Sequence, residues 1–329
     1  MAVNANTEET YKVSTIREDL QDALISISPT DTPFMTAIGR RNIDNTYFEW
    51  GVVDLADVDD GNRVAEGESA PGNDAPTNAV RQGSYSQISD KVVEVSDTSN
   101  AVNGAGDAQT LAKQIAFKLK ELKRDMETML LSNVPASAGA SGTARQTAGL
   151  PAWLKTNANR GEGGADGTMS GTGDAGFPNA AATDGTERAL TEGLLKTVIA
   201  QCWEAGAEPS VVLVGPLAKQ RISTFDGNAT RFKEAEDSKL NAAVDVYISD
   251  FGELQIIPTR FQRARDVFVL DPSYARVGYL KNTSQQKLAR TGHAERRLIS
   301  AEYGLQVDNQ AAHGILADID ASLEPVSPT

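Results

Sequence analysis

The chain has 329 residues, 40% of them hydrophobic and 23% charged, with a formal charge of −14 from 31 basic and 45 acidic side chains. A chain of this size and composition is globular, makes two compact units or one large one, and buries enough apolar surface to fold without a disulfide or a metal. The acidity excludes a protein whose main task is generic phosphate binding, and the longest apolar runs, Val211–Val214 and Val267–Leu270, are four residues where a membrane helix needs about 20.

Residues 1–13 are polar and carry neither the basic nor the apolar region of a secretory signal. Thr15-Ile16-Arg17-Glu18 is a capping box, followed by an apolar stripe of Ile16, Leu20, Leu24 and Ile27 that Pro29 ends. Thr32-Pro33 opens a second short helix, which Gly39 ends. These residues predict an arm of two short helices that cannot make a core alone. Residues 47–55 read as a strand with Phe48, Trp50 and Val52 on one face, and residues 84–95 as its expected partner. Between them, residues 56–83 are acidic and rich in turn formers. A loop of that length in a compact domain is usually functional or disordered, and a two-stranded hairpin is marginal in isolation. The pattern predicts a projecting hairpin that gains its order by packing on another surface.

Residues 107–133 hold Leu111, Ile115, Leu119, Leu122, Met126 and Met129 at helical spacing, with Lys118, Lys120, Glu121, Lys123, Arg124 and Glu127 mostly on the other side. This is one amphipathic rod about 40 Å long that needs a sheet or helix along it. Residues 135–190 contain 11 of the 28 glycines and read as a long connection with a short anchored piece at 150–154. From Thr191 a helix carries Leu194, Leu195, Val198, Ile199 and Trp203 and ends near Gly206. Val211–Val214 is a buried strand, Pro216 opens a short helix to Phe225, and strands follow at 244–248, 254–257, 267–270, 276–280, 297–307 and 314–319. Asp250-Phe251-Gly252 punctuates the first pair, and no repeat recurs at a fixed period.

Few motifs point to chemistry. Gly171-Thr172-Gly173-Asp174-Ala175-Gly176 fits a dinucleotide fingerprint. That mechanism needs a strand before the glycines and a helix after them; the surrounding sequence suggests neither, so the stretch reads as a turn. Asp57-Val58-Asp59-Asp60-Gly61 with Glu68 resembles a calcium loop, but Gly61 stands where a ligand oxygen belongs and Asn62 where the turn needs glycine. An acidic loop tip is the plain alternative. Cys202 sits beside Trp203 and reads as a buried, inert thiol. His293 lies among arginines, His313 reads as packed, and neither has a nucleophile beside it. The residues nominate no catalytic set, cofactor site or metal site.

Charge is distributed unevenly. Residues 1–110 carry 7 basic and 19 acidic side chains, and the remaining chain carries 24 and 26. Residues 54–74 hold seven acids (Asp54, Asp57, Asp59, Asp60, Glu66, Glu68 and Asp74) against Arg63 alone. Residues 260–297 hold nine bases, among them Arg260, Arg263, Arg265, Arg290, Arg296 and Arg297, against three acids. On charge alone these are either two solvated stretches or two surfaces that dock, within a chain or between chains.

The order of parts resembles the major capsid proteins of tailed bacteriophages with the Hong Kong 97-type (HK97-like) α+β fold, and more closely the SU10-type major head proteins. The resemblance rests on Ile16-Arg17-Glu18-Asp19-Leu20, Ile27-Ser28-Pro29-Thr30-Asp31-Thr32-Pro33-Phe34 and Thr46-Tyr47-Phe48-Glu49-Trp50. It continues in Asp250-Phe251-Gly252, Leu270-Asp271-Pro272, Thr291-Gly292-His293, Glu302-Tyr303-Gly304-Leu305 and Ala312-His313-Gly314. The resemblance implies an N-terminal arm at 1–45, an extended loop at 46–95, and a peripheral domain at 96–150 around the 107–133 spine helix. It further implies a connection or insertion at 151–190, a mainly axial domain at 191–280, and strands returning to both domains at 281–329. It implies a structural shell subunit with no enzymatic activity, cofactor or metal, working in the virion after assembly in the host cytoplasm. Many copies would form pentamers and hexamers around double-stranded DNA, touching it at most non-specifically, away from any membrane. Portal and scaffolding proteins are the implied partners, with a decoration protein as a further candidate. The alternatives are an encapsulin-like nanocompartment shell and, from a different class, a soluble α/β enzyme. In the first reading the seven acids of 54–74 and the six arginines are expected to meet between subunits; the runner-up role for the arginine stretch is to face DNA.

Overall fold

Two hydrophobic periods build the molecule: a helical stripe along one long helix, and runs in which every residue of a strand is apolar. The computed structural model describes residues 28–56, 58–67, 69, 76–102, 110–225, 245–290 and 292–323. The first expected arm helix, at 16–27, lies outside them.

The long helix runs over Thr110–Leu130. Leu122, Met126 and Leu130 are buried with Val93, Val95, Ile299, Ala301, Tyr303 and Leu305, while Leu111, Ile115 and Leu119 pack only partly against the same core. The surface beneath it is a four-stranded sheet ordered Gly39–Asn42, Ala275–Lys287, Ala294–Val307, Gln87–Ser96. The first pair is parallel and the other two are antiparallel. This differs from the sequence expectation in two places. Residues 87–96 pair with Ala294–Val307 rather than with the first hairpin strand, because Val93 and Val95 belong to the core under the helix. Residues 276–280, expected among the axial strands, begin a 13-residue strand of this same sheet.

A second, six-stranded sheet is ordered Val246–Ser249, Gly252–Pro258, Val211–Val214, Val267–Leu270, Gly314–Leu316, Ala158–Asn159. Its central strands explain their unbroken apolar runs. Val211, Leu213, Phe268 and Leu270 face the core shared with the long helix. Val212, Val214, Val267 and Val269 face a second core with Leu195, Val198, Ile199 and Cys202 of the helix Glu192–Glu204 and with Ile222 of the helix Pro216–Ile222. Strands covered on both faces lose the polar alternation of a half-exposed strand.

The glycine-rich region 135–190 is not a loose connection. Leu150, Trp153 and Leu154 are fully buried, and Ala158–Asn159 closes the edge of the six-stranded sheet. Asp318 holds this region in place: its carboxylate accepts from the Gly161 N–H at 3.0 Å and from Arg265 at 2.8 Å, on a backbone with φ of 59°.

The second arm helix is Pro33–Ala37, with Pro33 in its first turn as expected. Its N-cap, Thr32, makes no side-chain cap. Glu127 of the long helix takes that role: Oε1 accepts from the Phe34 N–H at 2.7 Å and Oε2 from the Met35 N–H at 2.9 Å. Glu127 has no exposed surface, and burial pushes its carboxyl from the ordinary 4.5 to about 7 despite the two N–H donors. The folded state therefore holds this proton more tightly than the unfolded chain. The stability it contributes is complete below about pH 4.5 and is lost as pH rises through 7. Glu127→Gln is expected to flatten the stability profile between those values in denaturant titrations. Glu127→Ala leaves two buried donors unpaired, at about 1–3 kcal/mol each. A Glu127→Gln profile with the wild-type slope would show that this carboxyl is not the titrating group.

Candidate interaction surface

The hairpin pairs Tyr47–Val52 with Val80–Tyr85 in the register Tyr47↔Tyr85 to Val52↔Val80. Phe48 and Val52 are buried, as the alternation predicts. The base of the hairpin is fixed to the body by aromatic packing: Tyr47 and Tyr85 lie 4.8 Å apart between ring centroids, Phe177 sets an edge against both, and Trp50 packs on Trp153 at 5.5 Å.

A notch in the four-stranded sheet admits this base and the end of the arm. Gly278 and Gly304 face each other across the two long strands. A Cβ on Gly304 would lie 2.7 Å from the Phe48 ring, and one on Gly278 would lie 2.9 Å from Ile43. Two glycines inside strand patterns are the sequence signal for such a close approach; the expectation of a hairpin ordered by packing on another surface did not draw on it. Polar contacts complete the seat. Ser86 Oγ donates to Glu302 at 2.9 Å, Arg145 pairs with the same carboxylate at 2.5 Å, and Thr147 Oγ1 accepts from the Leu305 N–H.

The Gly171–Gly176 stretch takes part in the same seat. It is the turn between the paired strands Thr168–Met169 and Pro178–Ala180. Gly176 donates its N–H to the Arg81 carbonyl and accepts from the Gly83 N–H at 2.8 Å. The last glycine of the fingerprint thus braces the hairpin.

Beyond Val52 the hairpin changes character. Asp54, Asp59, Asp60 and Glu66 are exposed and make no ion pair among the described residues. Among the described residues Asp59 accepts from the nearby Gly61 N–H alone. Large aliphatic side chains lie among them: Leu55 is 84% exposed and Val58 97%. Asp57, Glu68 and Asp74 lie outside the described residues.

The arginine stretch is divided between two places. Arg263 pairs with Asp184 at 2.5 Å and with buried Asp266 at 3.4 Å, and Arg265 pairs with Asp184, Glu187 and Asp318. Arg263 holds the Asp184 carboxyl below its ordinary value, while burial pushes Asp266 to about 6. At the edge of the four-stranded sheet Arg290 pairs with Asp97, Arg296 with Glu94 and Arg297 with Glu295. Arg260 is exposed and has no carboxylate partner among the described residues. No described ion pair joins the 54–74 and 260–297 stretches within the chain.

Of the other chemistry-bearing groups, Cys202 and His313 are enclosed and His293 is exposed. Burial pushes the Cys202 thiol up to about 12 and the His313 imidazole down to about 4. The His313 ring is held between the Asp271 N–H and the Tyr274 carbonyl. No group of three or more metal-ligating side chains gathers among the described residues.

Comparison with known proteins gives a consistent result. The family model described as SU10 major capsid protein matches residues 3–320. The major capsid protein of Escherichia phage Phieco32 is 27% identical over 323 residues, which cover 88% of this chain and 90% of the relative. The capsid structure of the cyanophage P-SCSP1u aligns with a TM-score of 0.63 at 10% identity, over 97% of each chain. An encapsulin from Synechococcus elongatus aligns with a TM-score of 0.58 at 12% identity, over 98% of this chain and 99% of that one. At these identities the solved structures establish a shared fold.

Gly304→Ala is expected to destabilise the chain by about 1–3 kcal/mol through overpacking. It should also loosen the hairpin base, read as a weakened near-ultraviolet dichroism of the Trp50 and Trp153 pair. A melt and spectrum equal to wild type would remove the notch as a determinant of hairpin position.

Proposed function

The chain belongs to the SU10 major capsid protein family, and from that premise we propose how its parts divide the work of building a shell. It is a structural protein, a self-assembling major capsid subunit of a tailed phage. It assembles in the host cytoplasm and resides in the virion, enclosing double-stranded DNA. The encapsulin neighbour shares the fold, but the SU10 match across residues 3–320 assigns this chain to phage heads.

In our reading, the hairpin is the subunit's reach toward a neighbour. The observation that carries this is its division into a seated base and an uncovered tip, where carboxylates without a cation partner among the described residues alternate with exposed Leu55 and Val58. A surface of that composition is stabilised by a partner of opposite charge with apolar ground between the charges. The contact is heterologous, because the tip meets a different patch on the next copy, and such contacts close into rings and shells. Weak individual contacts suffice when each copy touches several others.

The remaining assignments follow the same reading. Residues 1–45 act as the arm, 46–95 as the extended loop with its last strand, from Gln87, in the peripheral sheet, and 96–150 as the peripheral domain around the spine helix. Residues 151–190 brace the loop, 191–280 contribute mainly to the axial domain, and 281–329 return to both. Of the six arginines, Arg260 is the one able to offer its charge to a neighbour without breaking a pair in its own chain. Reversing Arg263 or Arg265 would disturb the Asp184 and Asp318 contacts before it reported on assembly. Portal and scaffolding proteins, and a decoration protein, belong to this reading as further partners.

Replacing residues 54–78 by an Asn-Gly turn, which closes a two-residue hairpin, tests the role of the tip. The variant is expected to keep the wild-type far-ultraviolet dichroism and to sediment as small species in place of shells. Shells of normal size and yield from this variant would refute the assignment.

A further inference from the structure

A cavity of about 580 Å³ opens between the arm, the long helix and the strand Ala275–Lys287. Arg40, Arg41 and Lys123 line it together with Met35, Met126 and Tyr279, and no acidic side chain lines it among the described residues. Arg41 donates one N–H to the Gln306 amide at 2.7 Å, which leaves its charge without a counterion among the described residues. Arg40 and Lys123 are exposed and form no ion pair among the described residues.

We propose that this cavity receives the acidic hairpin tip of a second copy of the chain, and that Arg40, Arg41 and Lys123 are the principal cations of that contact. The inference rests on the reading of the hairpin as an inter-subunit contact and names its receiving surface. Charge is the first argument. Six of the seven arginines of 260–297 are already paired in their own chain, whereas three cations meet around this cavity without a carboxylate among the described residues. Shape of polarity is the second. The tip alternates Asp54, Asp59 and Asp60 with Leu55 and Val58, and the cavity sets cations beside two methionines and a tyrosine ring. Methionine adapts readily to an irregular aliphatic guest. Connectivity is the third. The strand Gly39–Asn42, beside the cavity, leads directly into the hairpin base, and six paired residues then carry the tip about 20 Å along the hairpin. The receiving cavity therefore belongs to another molecule.

Full-length chains with Arg40→Glu plus Lys123→Glu, with Asp54→Lys plus Asp59→Lys plus Asp60→Lys, and with both sets combined, compared by sedimentation and electron microscopy, test the proposal. Each single set is expected to cut shell yield at least tenfold with an unchanged melting profile, and the combined set to restore it. In wild-type shells assembled from mixed heavy- and light-isotope subunits, carbodiimide should join Lys123 to carboxylates of the tip in mixed-isotope peptides. If the tip set blocks assembly while the cavity set assembles normally, the hairpin reading survives and this cavity is not its receiver. If the cavity set forms shells in normal yield that hold less nucleic acid, the cavity faces the genome and the proposal falls. Failure of the combined set to assemble, together with the absence of mixed-isotope cross-links, also overturns it.

Discussion

From Ala301 onward the strand Ala294–Val307 is buried on both faces, and the placement of the other parts depends on that burial. Its odd-numbered side chains, Ile299, Ala301, Tyr303 and Leu305, enter the core that also holds Leu122, Met126 and Leu130 of the long helix. Its even-numbered positions receive what is laid across the sheet: Glu302 takes Ser86 and Arg145, Gly304 admits Phe48, and Gln306 holds Arg41. A residue period of two thus separates the body of the subunit from the elements that reach outward. A one-residue slip of this strand would exchange the two sets and abolish both.

The long helix, the runs Val211–Val214 and Val267–Leu270, and the fold class were legible because each rests on a local period with a definite burial consequence. The hairpin was legible as a projecting element, but its second strand was misplaced. Residues 80–96 form two strands, Val80–Tyr85 and Gln87–Ser96, that pair with different partners. Local alternation says which side chains share a face; it does not say which strand lies alongside. Region 135–190 misled for a related reason. Its glycines resemble those of a mobile connection, yet several are small because backbone passes close by: a Cβ on Gly167 would lie 2.8 Å from the carbonyl oxygens of Ala152 and Ala180. Composition alone cannot distinguish a glycine kept for freedom from one kept for proximity.

The charged residues were countable in the sequence but not assignable. Opposed acidic and basic stretches suggested a match, and the count concealed that most of the arginines hold their own subunit together. Asp184, Asp318, Asp97, Glu94 and Glu295 come from distant parts of the chain or from the arginines' own strands. Glu127 was hidden for the same reason. It sits in a run of charged residues on an amphipathic helix, where a solvated position is the ordinary expectation, yet it caps the arm helix from about ninety residues away in sequence. Ion pairing and capping across long sequence separations are properties of the folded topology, so a linear reading finds the groups and misses their partners.

The six-stranded sheet sends alternate side chains of the same strands into two cores, Val211 and Leu213 to one and Val212 and Val214 to the other. Neither core can slide without dragging the strand that also fills its neighbour, and close-packed interiors resist such shear. A closed surface made of many such tiles must bend somewhere, and a tile built this way is a poor hinge. Its curvature is then set at the seams between tiles.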